Sequence, residues 1–343
     1  MTEFKSSRIF IMGSERSGTN LLRSLLGNHP AICAPQPIHF CNQIGPYFKR
    51  INLIEEQQRL LLYDGLLNTP FSNWGLSGMN PNINLDLVDA MDFFYSAMAR
   101  KSNASFYVNK DNDLHEILET EVQRRPDSKF IYIYRDPRDV VASWLTTPVW
   151  HTNPISPALH WDQLNSRILS LEKQYPENIY RISYNELTMR TQDCMRKALY
   201  FCNIPIDERC FSTKQTGVAQ QVLWANINKP IIENNSKWKS KLSLLELVTC
   251  ESHLTGRAFC ELGFRFSCPR LLRKTYRLMM RLGFVRKSLI RFMNIVRVNK
   301  FNQSGSKKSL SSLKIEVDGG RFQLKQRIES VISNYHDSKA EIN

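Results

Sequence analysis

Two short stretches hold most of the side chains that could do chemistry. The first is GSERSGTN, Gly13 to Asn20, directly after the apolar run Arg8–Met12. It gathers Gly13, Gly18, the hydroxyls of Ser14, Ser17 and Thr19, and the side chains of Arg16 and Asn20 ahead of a leucine-rich helical pattern. A strand, a glycine-bracketed loop and a helix start make an anion site, because loop N–H groups turn inward and the helix dipole adds positive potential. The second is KFIYIYRDPRDVVASW, Lys129 to Trp144. Arg135 stands just past an apolar strand, and Ser143 lies about two turns into the following helix. Both can converge on one anion above the carboxyl edge of a sheet. Arginine supplies a bidentate fork and serine a hydroxyl. Asp136, Arg138 and Asp139 read as a solvated or structural ion-pair cluster that holds the turn.

The spacing from Gly13 to Gly18 matches the start of a nucleotide-binding P-loop, but Thr19 and Asn20 stand where a Walker loop needs Lys and then Ser or Thr. The strong cation sits inside the loop, at Arg16. Such a loop suits a phosphate-like group whose reaction needs no magnesium, so no metal ligand is assigned. Two anion sites at two strand ends suit a nucleotide with phosphates on both the 3′ and 5′ sides of its ribose.

Alternating elements must position these groups. Apolar patterning predicts strands at Arg8–Met12, Ser105–Asn109, Lys129–Tyr134 and Asn178–Ile182. It predicts helices at Gly18–Asn28, Ile51–Leu67, Leu85–Ala99, Leu114–Gln123, Arg138–Leu145, Tyr184–Cys202 and Leu244–Leu262. The strands are too far apart for hairpins. The expected fold class is therefore α/β: a P-loop-like central parallel sheet flanked by helices, with a basic helical C-terminal extension. The expected division is an α/β domain over 1–268 and an extension, partly linker-like, over 269–343.

The 343 residues carry a net charge of +14, and its distribution is uneven. Twelve cations and no acid lie between Pro269 and Lys308, which leaves the rest of the chain at only +2. Eight scattered cysteines form no C-x-x-C pair, which argues against a zinc site and for reduced thiols. The start lacks the apolar core of a signal peptide, and no uncharged run has transmembrane length. The expected location is cytoplasmic, with membrane-peripheral contact as a variant.

In order along the chain, several stretches resemble the sulfotransferases that use 3′-phosphoadenosine 5′-phosphosulfate (PAPS). RSGT followed by a leucine helix and HP resembles their 5′-phosphosulfate loop, and YRDPRDVVASW resembles their 3′-phosphate motif. Arginine in the loop is similar to the tyrosylprotein sulfotransferase branch and the broad bacterial family. Asn109-Lys110-Asp111 resembles the N-K-D segment with a catalytic lysine. Arg181 to Leu187 resembles the R-Y-E-x-L segment, whose tyrosine, here Tyr184, lies by the nucleotide. Asn228-Lys229-Pro230 and Ser236-Lys237-Trp238 resemble the late N-K-P…S-K-W segment, whose serine assists at the phosphosulfate. The resemblance runs from Arg8 to Phe266.

It implies transfer of a sulfuryl group from PAPS to a hydroxyl or amine, leaving 3′-phosphoadenosine 5′-phosphate. Arg16 and Lys110 would neutralise the leaving oxygen, and Ser236 would orient the group. Ser14 and the backbone of Ser17, Gly18, Thr19 and Asn20 would hold the 5′ side, and Arg135 and Ser143 the 3′-phosphate. Tyr184, Lys237 and Trp238 would complete the donor site. The acceptor base does not carry over: relatives place a glutamate in a segment like P-P-E-T-H-F, and this chain has Pro37 there, with Gln36 beside it. His39 is the first substitute and Asp111 the second. Acceptors from carbohydrate to tyrosine to lipid all fit. Asn73-Trp74-Gly75, Trp150-His151 and Trp161 could line the acceptor pocket, although core packing is the commoner use of each Trp. The rival readings are a non-catalytic nucleotide binder of the same fold and a P-loop kinase. For the basic segment 269–300, contact with an anionic membrane surface and packing on the body rank equally, and nucleic acid ranks last.

Overall fold

The computed structural model describes residues 7–38, 40–41, 45–48, 76, 84–146, 152–213, 231 and 235–303. The predicted helix Ile51–Leu67, His39, Asn73-Trp74-Gly75, Trp150-His151, Asn228-Lys229-Pro230 and the linker from 304 onward lie outside the described residues.

Five strands form one sheet: β1 (Ser7–Met12), β2 (Ile32–Cys33), β3 (Phe106–Asn109), β4 (Lys129–Tyr134) and β5 (Ile179–Ser183), in the order β2-β3-β1-β4-β5. The sheet is parallel and flanked by helices. Phe10 on β1 registers with Asn109 on β3, and Cys33 on β2 registers with Tyr107. Strands covered on both faces read as continuous apolar runs, and Ile9 to Met12 and Phe130 to Ile133 are buried accordingly.

The described chain divides into two compact units, residues 7–12 with 26–130 and residues 13–25 with 131–303. In the first unit, the Phe10 ring stacks on Phe130 at 4.6 Å and meets Tyr107 edge-on. A buried ion-pair cluster supports it. Asp92 accepts from Arg8 Nε at 2.6 Å and from the Tyr107 hydroxyl at 2.9 Å, and Arg125 holds Glu121 at 2.9 Å.

In the second unit, helix Pro137–Thr146 follows β4 directly, and helix Ile155–Gln174 buries Ile155, Ala158, Trp161, Leu164 and Ile168 on one face. That long helix was not anticipated, although its three- and four-residue apolar spacing is present in the sequence. Three predicted helices are broken, and Leu114–Gln123 is one of them: a 3₁₀ turn, Leu114–Glu116, precedes helix Leu118–Arg124. Tyr184–Cys202 is two helices, Tyr184–Met189 and Thr191–Phe201, separated by Arg190 at φ −134° and ψ 54°. Leu244–Leu262 becomes Leu244–Ser252 and Arg257–Glu261, with Gly256 at φ 93° between them. A helix cannot pass through left-handed backbone, and glycine adopts it readily.

The basic segment from Pro269 forms helices Arg270–Met279 and Gly283–Gln303. They pack on their own unit: Tyr276, Met280, Leu289 and Ile290 join Ile155, Val248 and Cys268 in one apolar cluster. Polar ties reinforce it. The Tyr276 and Thr249 hydroxyls are 2.6 Å apart, Arg277 donates to the Ser252 carbonyl, and Arg297 pairs with Glu246 at 2.6 Å. Seven of the eight cysteines are buried. Among the described residues, no helix is long and apolar enough to cross a membrane.

Candidate functional site

The turn after β1 requires both of its glycines. Gly13 has φ 152°, and a Cβ there would lie 2.3 Å from the Ile133 carbonyl oxygen. Gly18 has φ 98°, and its Cβ would meet the Tyr184 ring at 2.4 Å. Within the loop, the Ser14 and Ser17 hydroxyls are 2.6 Å apart, and Ser17 N–H donates to the Ser14 carbonyl at 3.1 Å. Ser14, Ser17 and Thr19 are all buried. Thr19 opens helix Thr19–Leu26, and the Oδ1 of Asn20 is buried without a hydrogen-bond partner.

The loop's cation meets the second motif. Arg16 Nε donates to the Ser143 hydroxyl at 3.1 Å, and its guanidinium lies 5.3 Å from the centre of the Trp144 ring. Arg135 Nη1 donates to the Arg16 carbonyl at 3.1 Å, and its guanidinium lies over the Tyr184 ring at 4.3 Å. Tyr184 therefore packs against Gly18 and under Arg135. Trp161 Nε1 donates to the Arg135 carbonyl at 3.0 Å, which fixes the backbone where β4 ends. Burial and the like charge of Arg135 hold the Arg16 guanidinium below its ordinary pKa, despite Glu15 nearby. Two guanidiniums crowded in this way form a site whose charge an anion would relieve.

Ser236, Lys237 and Trp238 are joined to the second motif by Asp139. Its Oδ2 accepts from Ser236 N–H and its Oδ1 from Trp238 N–H, both at 2.9 Å. Burial pushes the Asp139 carboxyl up, against the lowering effect of the Trp238 N–H and of Arg135. Arg138 lies over the Trp238 ring at 4.3 Å, pairs with Asp136 at 2.7 Å and donates to Glu251 and to the Arg265 carbonyl. Of the two readings of this charge cluster, the structure shows the buried, structural one. Asp139, read from sequence only as part of the turn, organises a distant segment of the candidate site.

Backbone strain falls at the same residues. Five described non-glycine residues have positive φ: Asn103, Asp113 and Asn203, whose side chains tolerate it, and Arg16 at 67° and Ser236 at 57°. The two without that excuse are both candidate site residues, as expected where a fold imposes a functional geometry.

Lys110 and Asp111 belong to the first unit, just past β3. Lys110 is buried, and its Nζ donates to Asn112 Oδ1 at 3.1 Å. Asp111 is also buried; its Oδ2 accepts from Phe40 N–H at 2.9 Å, and its own N–H donates to Asn109 Oδ1. It thus fixes the backbone next to His39, which lies outside the described residues. Gln36 is exposed and Pro37 half-buried.

The profile of the sulfotransferase family matches residues 8–208, more than half of the chain. The chain belongs to the sulfotransferase family. Among solved structures, this sulfotransferase is similar to the sulfotransferase domain from the curacin biosynthetic pathway, with 21% identity and a TM-score of 0.55. That match covers 76% of this chain and 99% of the domain. A sulfotransferase domain from the Synechococcus PCC 7002 olefin synthase matches with 17% identity and a TM-score of 0.45, over 80% of this chain and 96% of that one. An uncharacterized protein of Aquifex aeolicus (strain VF5) is 26% identical over 61% of this sulfotransferase, which spans only 27% of that relative.

Proposed function

We propose that this sulfotransferase moves a sulfuryl group from PAPS to a hydroxyl or amine acceptor. The observation that carries the reading is the joining of two anion motifs, in which Arg16 donates to Ser143 while Arg135 donates to the Arg16 carbonyl. One donor nucleotide with phosphates on both sides of its ribose uses both motifs, and its charge relieves the repulsion between the two guanidiniums.

The residues fit that donor. The 5′ side lies against the N–H groups of Ser17 to Asn20, at a helix start that favours anions. The side-chain N–H groups of Asn20 and the Ser14 hydroxyl add donors to it. Arg135 and Ser143 hold the 3′-phosphate, and Tyr184, packed on Gly18, offers an aromatic wall. Ser236, Lys237 and Trp238 close the site, with Asp139 positioning them.

The acceptor oxygen attacks sulfur as the bond from sulfur to the bridging oxygen of the 5′-phosphate breaks. Negative charge builds on that oxygen, and Arg16 and Lys110 neutralise it. Catalysis of this kind is mainly positioning and electrostatic stabilisation. The acceptor proton leaves to a base, for which His39 is the first candidate. Asp111, whose carboxylate accepts from Phe40 N–H, is the second candidate.

Transfer of labelled sulfate from PAPS to carbohydrate, tyrosine-peptide and lipid acceptors tests the proposal. Transfer to at least one class, undiminished by a metal chelator, is expected. Tight product binding with no transfer to any acceptor would instead make the protein a nucleotide binder.

A further inference from the structure

The helices Arg270–Met279 and Gly283–Gln303 are apolar on two sides. One side supplies Tyr276, Met280, Leu289 and Ile290 to the packed cluster. On Gly283–Gln303 the opposite side carries Phe284, Phe292 and Ile295, and a helical turn of 100° per residue puts these within one quadrant, facing away from Met293. They are exposed, Phe284 by 73%, as are Leu271 by 76% and Leu278 by 63% on the first helix and Leu282 in the turn between the two. Lys287 and Arg291 flank that quadrant on one side, and Lys274, Arg281 and Arg286 are also exposed. No acid occurs anywhere from Pro269 to Lys308.

Self-packing explains the first side and not the second. A patch of leucine and phenylalanine among cations, without one acid, is complementary to a surface that is apolar within and anionic at its rim. A second copy would bring the same positive charge against it. The remaining segment, residues 304–343, carries seven cations against five acids and so does not complement it either. Nucleic acid would meet the cations, but no DNA- or RNA-binding motif accompanies the segment.

We propose that these two helices dock the protein on an anionic lipid bilayer, with Leu271, Leu278, Leu282, Phe284 and Phe292 entering the interface while arginines and lysines meet the headgroups. Apolar insertion and charge attraction both contribute, so binding needs anionic lipid and weakens with salt.

The test is flotation of the full chain with vesicles of phosphatidylcholine alone and with vesicles containing a third phosphatidylglycerol. The expected result is co-flotation with the anionic vesicles only, release in 0.5 M salt, and at least tenfold weaker binding for the triple variant Leu282→Ser, Phe284→Ser, Phe292→Ser. Circular dichroism unchanged in that variant confirms that the loss is not unfolding, since all three side chains are exposed. Equal flotation of variant and wild type would overturn the proposal, as would no flotation at low salt. Flotation only after removal of residues 304–343 would show that the chain itself covers the face. A monomer–dimer equilibrium abolished by the triple variant would assign the face to a second copy.

Discussion

The Arg16 guanidinium reaches the Ser143 hydroxyl at 3.1 Å, across 127 residues of chain. One residue belongs to the loop after β1 and the other to the helix after β4, so the contact joins the two anion motifs. A hydrogen bond to a charged group is worth about 1.5–3 kcal/mol. Removing either partner should weaken binding of 3′-phosphoadenosine 5′-phosphate by tenfold or more. In a double-mutant cycle of Arg16→Ala and Ser143→Ala, the two losses should fall short of adding by about 1–2 kcal/mol, because both act on one cluster. Simple additivity, measured by calorimetry, would separate the motifs functionally.

Gly18 is tested by a single methyl group. Its φ of 98° and the Tyr184 ring 2.4 Å from a Cβ leave no room for alanine. Gly18→Ala should lower stability by about 1–3 kcal/mol and weaken product binding at least tenfold. The double variant Gly18→Ala, Tyr184→Ala should recover part of the stability, as read by thermal unfolding. No recovery would mean that backbone strain, rather than the ring contact, sets the requirement.

Much of this was legible beforehand. β1, β3, β4 and β5 fall within a residue or so of the apolar runs that predict them, because buried parallel strands are nearly uniform in character. The loop after β1 and the strand end at Arg135 were legible as motifs because glycines, hydroxyls and arginines cluster there in the sequence. Asp139 was not, since its partners Ser236 and Trp238 lie about a hundred residues away, and a carboxylate beside two arginines reads as an ordinary ion pair. The breaks at Arg190 and Gly256 were missed because apolar spacing continues through both. The two-sided apolar character of the basic helices was visible as composition, but which side packs inward depends on tertiary contacts.

Acid sensitivity follows from the buried cluster on β1. Burial raises the Asp92 carboxyl, but hydrogen bonding and charge from Arg8, with Arg125 and Tyr107, outweigh it and hold the pKa below the ordinary 3.8. A carboxyl lowered on folding contributes stability above its unfolded pKa and loses it as pH falls through the folded value. Urea unfolding should therefore show stability declining below about pH 4. Asp92→Asn should be less stable at pH 7 by about 3 kcal/mol, the scale for breaking a buried pair, with a flatter acid limb. An unchanged acid limb would remove Asp92 from the pH response.

Lys110 and His39 should affect turnover without affecting donor binding. Lys110→Ala is expected to lower kcat about 100- to 1000-fold, as loss of a donor to developing charge does. His39→Ala should lower it at least tenfold, as loss of a general base does. Both should bind 3′-phosphoadenosine 5′-phosphate within threefold of wild type. Unchanged turnover in His39→Ala would remove that residue from the mechanism, and lost product binding in Lys110→Ala would make the lysine part of the donor site.

The most direct measurement is calorimetry with 3′-phosphoadenosine 5′-phosphate on the wild type and on Arg135→Ala. The account predicts micromolar binding by the wild type that Arg135→Ala abolishes, with far weaker binding of ATP, which lacks the 3′-phosphate. No binding to the wild type, or magnesium-dependent ATP binding that Arg135→Ala leaves intact, would contradict the assignment of this loop and strand end to a PAPS-type donor.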